Sequence, residues 1–113
     1  EFDMLYGHRN DPVGYAQALS RFDSQLEQLL GLLREEDLLF ITADHGCDPS
    51  TPSTDHSREY VPLLCCGKSV RAGVDLATRS CFADLAATVG EYFDPAFPGK
   101  LQAGSSFLQQ ILI

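Results

Sequence analysis

From Ala16 onward, Leu19, Phe22, Leu26, Leu29, Leu30 and Leu33 recur at spacings of mostly three and four, while Gln25, Glu27, Gln28 and Arg34 fall mostly off that line. Such a stripe predicts an amphipathic helix. Asp11-Pro12 marks its start, because an aspartate caps free amides and proline lacks only an N–H that the first turn leaves unused. The helix is placed over about 12–34. After Glu35-Glu36-Asp37 the run Leu38-Leu39-Phe40-Ile41-Thr42 is almost continuously apolar and of strand length, the type buried on both faces of a parallel sheet. Val61 to Gly67 reads as another strand, with Pro62 tolerated near its beginning. Glu1-Phe2-Asp3 reads as the tail of an earlier one. Ser80 is the expected cap of a helix over about 81–93, where Phe82, Leu85, Ala86, Val89 and Phe93 share a face. Ser105 or Ser106 is the expected cap of a short last helix carrying Phe107, Leu108, Ile111 and Leu112.

Between the two later strands, residues 44–60 hold Gly, Pro, Ser, Thr and Asp with little apolar content, a long loop of the kind that carries function. The element order describes α/β architecture, and three short strands are too few for the whole of such a sheet. In a parallel sheet the carboxyl ends of the strands form the ligand edge, so Asp3 and Asp44, each ending an apolar run, are expected to converge there. With 113 residues, no initiator Met and a first segment that reads as mid-element, the chain is expected to be part of one domain of something longer.

Charge narrows the partners. Sixteen acidic residues against eight basic ones give a net charge of -8, which repels nucleic acid and anionic lipid surfaces and suits a site for cations. No stretch has the length of a membrane span. The cysteines, Cys47, Cys65, Cys66 and Cys81, form no C-x-x-C pair, which favours a reduced, cytoplasmic setting over a disulfide scaffold. Oligomeric state leaves no mark in the sequence.

All three histidines stand beside or near an aspartate: Asp3 with His8, Asp44 with His45, and Asp55 with His56. Each grouping alone has an ordinary reading as turn capping or a solvated ring. Asp44-His45-Gly46 is the most informative, since it follows an apolar run and Gly46 allows a turn that aims both side chains at one ion. Together, carboxylates and imidazoles in this number suit two divalent ions better than one, because a single site needs only three or four protein ligands.

Phe2-Asp3-Met4-Leu5-Tyr6-Gly7-His8-Arg9, Ile41-Thr42-Ala43-Asp44-His45-Gly46-Cys47-Asp48-Pro49 and Thr54-Asp55-His56-Ser57-Arg58-Glu59-Tyr60-Val61-Pro62 closely resemble the C-terminal part of the phosphopentomutase family, in the alkaline phosphatase superfamily. The likeness continues through Ser80-Cys81-Phe82-Ala83-Asp84-Leu85 and Gly104-Ser105-Ser106-Phe107. It implies the C-terminal part of an alkaline-phosphatase-like core, a mostly parallel sheet flanked by helices, with the N-terminal core segment and the cap domain outside residues 1–113. It also implies interconversion of ribose or deoxyribose 1-phosphate and 5-phosphate at two divalent ions, commonly manganese. Carried over by motif, Asp3, His8 and His56 hold one ion, while Asp44 and His45 hold the other. The family's remaining aspartate and its phosphoryl-carrying threonine have no counterpart in this sequence.

Asp48, Thr54 and Asp55 are candidates for orienting the histidines, with loop-turn capping as the alternative. Arg9 and Arg58 flank the ligands and are open to a phosphate or a structural carboxylate. Asn10 stands where many family members have a second arginine. Two other readings stay open: another two-metal member of the superfamily, such as a cofactor-independent phosphoglycerate mutase or a phosphodiesterase, and a noncatalytic metal-binding module.

Overall fold

Asp11 caps the first helix as its place before Pro12 predicts: its carboxylate accepts the Gly14 amide at 2.9 Å, opening α1 over Pro12–Leu30. In the computed structural model, which describes residues 1–113, α1 stops at Leu30 rather than near 34. Gly31 ends it, and beyond it Asp37 takes the Arg34 amide at 2.8 Å and its guanidinium at 3.2 Å, a local turn that competes with further helix.

Ahead of α1 the expected strand tail is absent. Phe2–Gly7 instead form a π-helical turn, closed by the His8 amide on the Asp3 carbonyl at 2.9 Å. Phe2 is apolar for a different reason than pairing in a sheet. Its ring packs on Tyr15 and Phe22 of α1, with centroids 5.4 and 6.4 Å away.

β1 (Leu39–Thr42) and β2 (Leu63–Cys66) form a two-stranded sheet in which Leu39 faces Cys66 and Thr42 faces Leu63. The pair is antiparallel, so the parallel arrangement expected for these strands does not describe them. Parallel neighbours need a crossover, usually a helix, and the segment joining β1 to β2 is loop. Both strands are half-buried instead of buried on both faces, and Leu64 is 58% exposed. The apolar stripe of α1 exists but is also only partly covered, with Leu19 at 50% exposure.

The chain divides into two compact units, Glu1–Lys68 and Ser69–Ile113. The second contains α2 (Ala83–Phe93), a 3-10 turn at Pro98–Lys100 and α3 (Leu108–Ile111). Ser80 does not cap α2; the helix begins later, and the Cys81 sulfur accepts the Ala83 amide at 3.3 Å. Ser106 does meet the last helix, its hydroxyl taking the Leu108 amide at 3.1 Å. Ala87, Phe107, Leu108 and Ile111 form the buried apolar centre.

Two polar side chains are buried with them, and both are fully occupied. Asp84 accepts from the Arg79 Nε at 2.7 Å and the Ser105 amide at 2.8 Å, while the Thr88 hydroxyl donates to the Asp84 carbonyl and accepts the Phe107 amide at 3.0 Å. Gly104, at φ +97°, lies so close to Ala83 that a Cβ would stand 2.5 Å from its carbonyl oxygen. These contacts give Ser80–Leu85 and Gly104–Phe107 a structural reason for their composition. They stitch the loop before α3 onto α2.

The Ser105 amide, and after it Arg79, hold the Asp84 carboxyl below its ordinary 3.8. Because the folded value is lowered, its stabilisation is present above pH 3.8 and disappears as the carboxyl is protonated below that. Asp84→Ala, which strands Arg79 and the Ser105 amide, is expected to lower the unfolding free energy by about 3 kcal/mol in urea titrations at neutral pH. Thr88→Val is expected to cost about 1–3 kcal/mol, and Asp84→Ala should lose part of its deficit relative to the parent below about pH 3.

Candidate metal centre

The π turn explains how Asp3 and His8 meet. Residues five apart in an α-helix point about 140° away from each other, whereas a turn closed from residue 8 to residue 3 brings them to one side. The His8 Nε2 lies 3.3 Å from the Asp3 Oδ2. Phe2 against α1, Tyr6 accepting a hydrogen bond from Arg21 at 3.0 Å, and Gly7 packed under the Cys47 sulfur fix this turn in place.

His56 arrives from the long loop. Since β1 and β2 are antiparallel, residues 43–62 leave and re-enter the same end of the sheet, and a bridge between Gly46 and Ser57 draws their arms together. Gly46 matters for closeness rather than for an unusual backbone angle. A Cβ there would sit 2.6 Å from both the Glu59 nitrogen and the Ser57 oxygen. The pinch places the His45 and His56 rings face to face, centroids 3.6 Å apart and planes 12° apart. It also brings the His56 Nε2 to 3.5 Å from the Asp3 Oδ1.

Asp3, His8 and His56 thereby offer three ligand atoms within 4.8 Å of one another. Two donors bonded to one small ion at about 2.1 Å each stand about 3.0–3.4 Å apart, so the 3.3 and 3.5 Å separations suit an ion with little adjustment. The tautomers suit it too. The His8 Nδ1 donates to the Thr54 carbonyl, which leaves the Nε2 lone pair turned toward Asp3. A cation or a proton between the His8 Nε2 and the Asp3 carboxylate would complete that arrangement. Asp44 and His45 form a separate pair, with the His45 Nε2 3.7 Å from the Asp44 Oδ1 and the Asp44 side chain almost wholly exposed. The His45 Nδ1 is held by the Gly46 carbonyl at 2.9 Å, so its Nε2 is likewise the free nitrogen.

Of Asp48, Thr54 and Asp55, nominated to orient the histidines, the structure brings Thr54 to one. Thr54 contributes its backbone carbonyl, and Gly46 does the same for His45. Asp48 caps a turn, accepting the Ser50 amide at 2.9 Å and the Ser50 hydroxyl at 2.6 Å, which lower its carboxyl's pKa. Asp55 is exposed, its amide on the Ser53 hydroxyl. Arg9 and Arg58 are exposed and lie outside the chain's ion pairs. Asn10 adopts φ +49°, a left-handed conformation that asparagine tolerates better than a long side chain. Cys47 stays out of the ligand set, since burial first, then Asp3 and Asp48, push its thiol's pKa up and keep it protonated. Sequence reasoning missed its contact with Gly7.

A family model for the Metalloenzyme superfamily matches residues 1–95. The chain belongs to that superfamily. Membership implies divalent metal binding, and Asp3, His8 and His56 form a group that could hold such an ion. The chain is also 60% identical over 112 residues to a phosphopentomutase of Desulfitobacterium hafniense and 61% identical over 112 residues to one of Acetivibrio thermocellus, in each case across 99% of its own length. A phosphopentomutase of Carboxydothermus hydrogenoformans is 63% identical over 93 residues, 82% of the chain. The chain spans 28% of the length of the first two relatives and 24% of the third. These likenesses are consistent with a segment of a phosphopentomutase.

Gly46→Ala is expected to cost about 1–3 kcal/mol by forcing the loop arms apart, while Gly99→Ala, whose Cβ would meet open space, is expected to be near neutral. Paired urea titrations check this. The Gly46 carbonyl, then Asp44 and Asp3, raise the His45 pKa above its ordinary 6.5. A raised value favours the protonated ring, an advantage present below pH 6.5 and lost as pH rises past the raised value, so a metal must displace that proton. Calorimetric metal titrations should therefore show proton release, and affinity should fall at least about tenfold between about pH 7.5 and about pH 5.5.

Proposed function

We propose that this chain is the C-terminal, metal-binding part of a phosphopentomutase core, and that the complete polypeptide interconverts ribose or deoxyribose 1-phosphate and 5-phosphate. The observation that carries the reading is the convergence of the ligand atoms of Asp3, His8 and His56 to within 4.8 Å of one another, within a chain whose relatives bear that name. In this reading Asp3, His8 and His56 hold one manganese ion, and Asp44 and His45 contribute to a second. The half-exposed strands and the partly covered stripe of α1 support further chain packing on this segment.

The chemistry that two bound divalent cations supply is neutralisation of a phosphoryl group's charge and a lowered pKa for a hydroxyl nucleophile. The residues of this chain set the geometry for it. The Thr54 and Gly46 carbonyls fix two imidazole tautomers, Asp3 serves two rings at once, and the pinched loop keeps the second pair beside the first. The nucleophile, a threonine that carries the phosphoryl group between the two sugar positions, and the cap that excludes water belong to the remaining sequence. The substrate is a small sugar phosphate, with no nucleic acid or lipid partner, in keeping with the acidic charge of -8. Four free thiols suit a reducing cytoplasm. None of the helices is long and apolar enough to cross a membrane.

The test is mutase turnover by the complete polypeptide with manganese supplied. Asp44→Ala and His45→Ala are each expected to lower it by more than about a thousandfold, and the 113-residue chain by itself is expected to turn over nothing. Full activity in either variant, under controlled metal, contradicts the assignment.

A further inference from the structure

His8 and His45 each have one ring nitrogen tied to a carbonyl, which sets which nitrogen is free and where it points. His56 is held differently. It lies in an exposed loop with its side chain half exposed, and its neighbours are the Asp3 carboxylate, the parallel face of His45 at 3.6 Å and the tilted ring of His8 at 5.3 Å. A flat ring, with its plane 12° from that of His56, lies against it instead.

We propose that His45 is a positioning residue for the ion held by Asp3, His8 and His56: its ring, by stacking on His56, aims the His56 Nε2 at Asp3. This rests on the metal reading above and adds to it, because it gives one histidine a second task that needs no nitrogen. His45 is suited to the task. Its side chain is 28% exposed against 49% for His56, its Nδ1 is fixed at 2.9 Å on the Gly46 carbonyl, and Gly46 is bridged to Ser57, the residue next to His56. The stack therefore ties the first-ion group to the Asp44-His45 pair through one van der Waals contact. Aromatic pairs change an equilibrium by up to about tenfold, an upper bound for rings as nearly face to face as these.

The test uses the complete polypeptide and manganese alone, titrated by electron paramagnetic resonance. His45→Ala and His45→Phe both remove the ligating nitrogen, so both lose the second ion and leave the first to be measured. His45→Ala is expected to weaken the remaining site by up to about tenfold, and His45→Phe, which keeps a flat ring, to stay within about twofold of the parent. His45→Trp serves if the Phe variant does not fold. In the metal-free protein, His56 ring protons should show an upfield ring-current shift that the Phe variant keeps and the Ala variant loses. Equal first-site affinities in the two variants, with Asp3→Ala still abolishing that site, overturn the stack alone. Manganese binding that survives Asp3→Ala unchanged overturns the metal reading and the proposal with it, whatever the ring shifts show.

Discussion

The Asp3 carboxylate faces two imidazole nitrogens at once, one on each oxygen, at 3.3 and 3.5 Å. Each oxygen is placed to share a cation or a proton with the nitrogen that faces it. The His8 Nδ1 donates to the Thr54 carbonyl, so its Nε2 is the nitrogen left to face Asp3. The surrounding geometry of the first unit brings these groups together. A π turn rather than an α turn brings residues 3 and 8 to one side, and Phe2 on α1 keeps that turn from unwinding.

The second half of this convergence comes from an antiparallel pair. Because Thr42 and Leu63 face each other, a loop of some length must leave and return at one end of the sheet, and everything it carries is delivered there. Gly46 and Ser57 close it into two arms near enough for His45 and His56 to stack. A side chain at 46 would undo this, which makes the glycine a packing requirement. The second unit solves an unrelated problem by similar means. There Asp84 and Thr88 use buried polar groups, all of them bonded, to fasten the loop before α3 onto α2.

Much of this was legible in the sequence, and the failures have physical causes. The stripe from Ala16 to Leu30 and the Asp11-Pro12 start foretold α1, and the apolar runs around Ile41 and Leu64 foretold β1 and β2. Strand direction was not legible, since apolar content reports burial and not partner orientation. Phe2 misled for the same reason: an apolar residue wants a partner, and the partner was a helix. Three of the five nominated ligands were brought into one cluster, and the other two form a pair beside it. Of the two residues whose carbonyls hold the imidazoles, Thr54 was nominated and Gly46 was not, because a main-chain carbonyl belongs to every residue and no motif announces it.

The most direct test of the account is the position of a bound ion. Crystals of the complete polypeptide grown with manganese, measured at an absorption edge, should show an anomalous peak bonded to one Asp3 oxygen and to the Nε2 atoms of His8 and His56, each at about 2.0–2.5 Å. Manganese bound elsewhere with these three atoms unliganded, or bonded to the His8 Nδ1 in place of its Nε2, would contradict it.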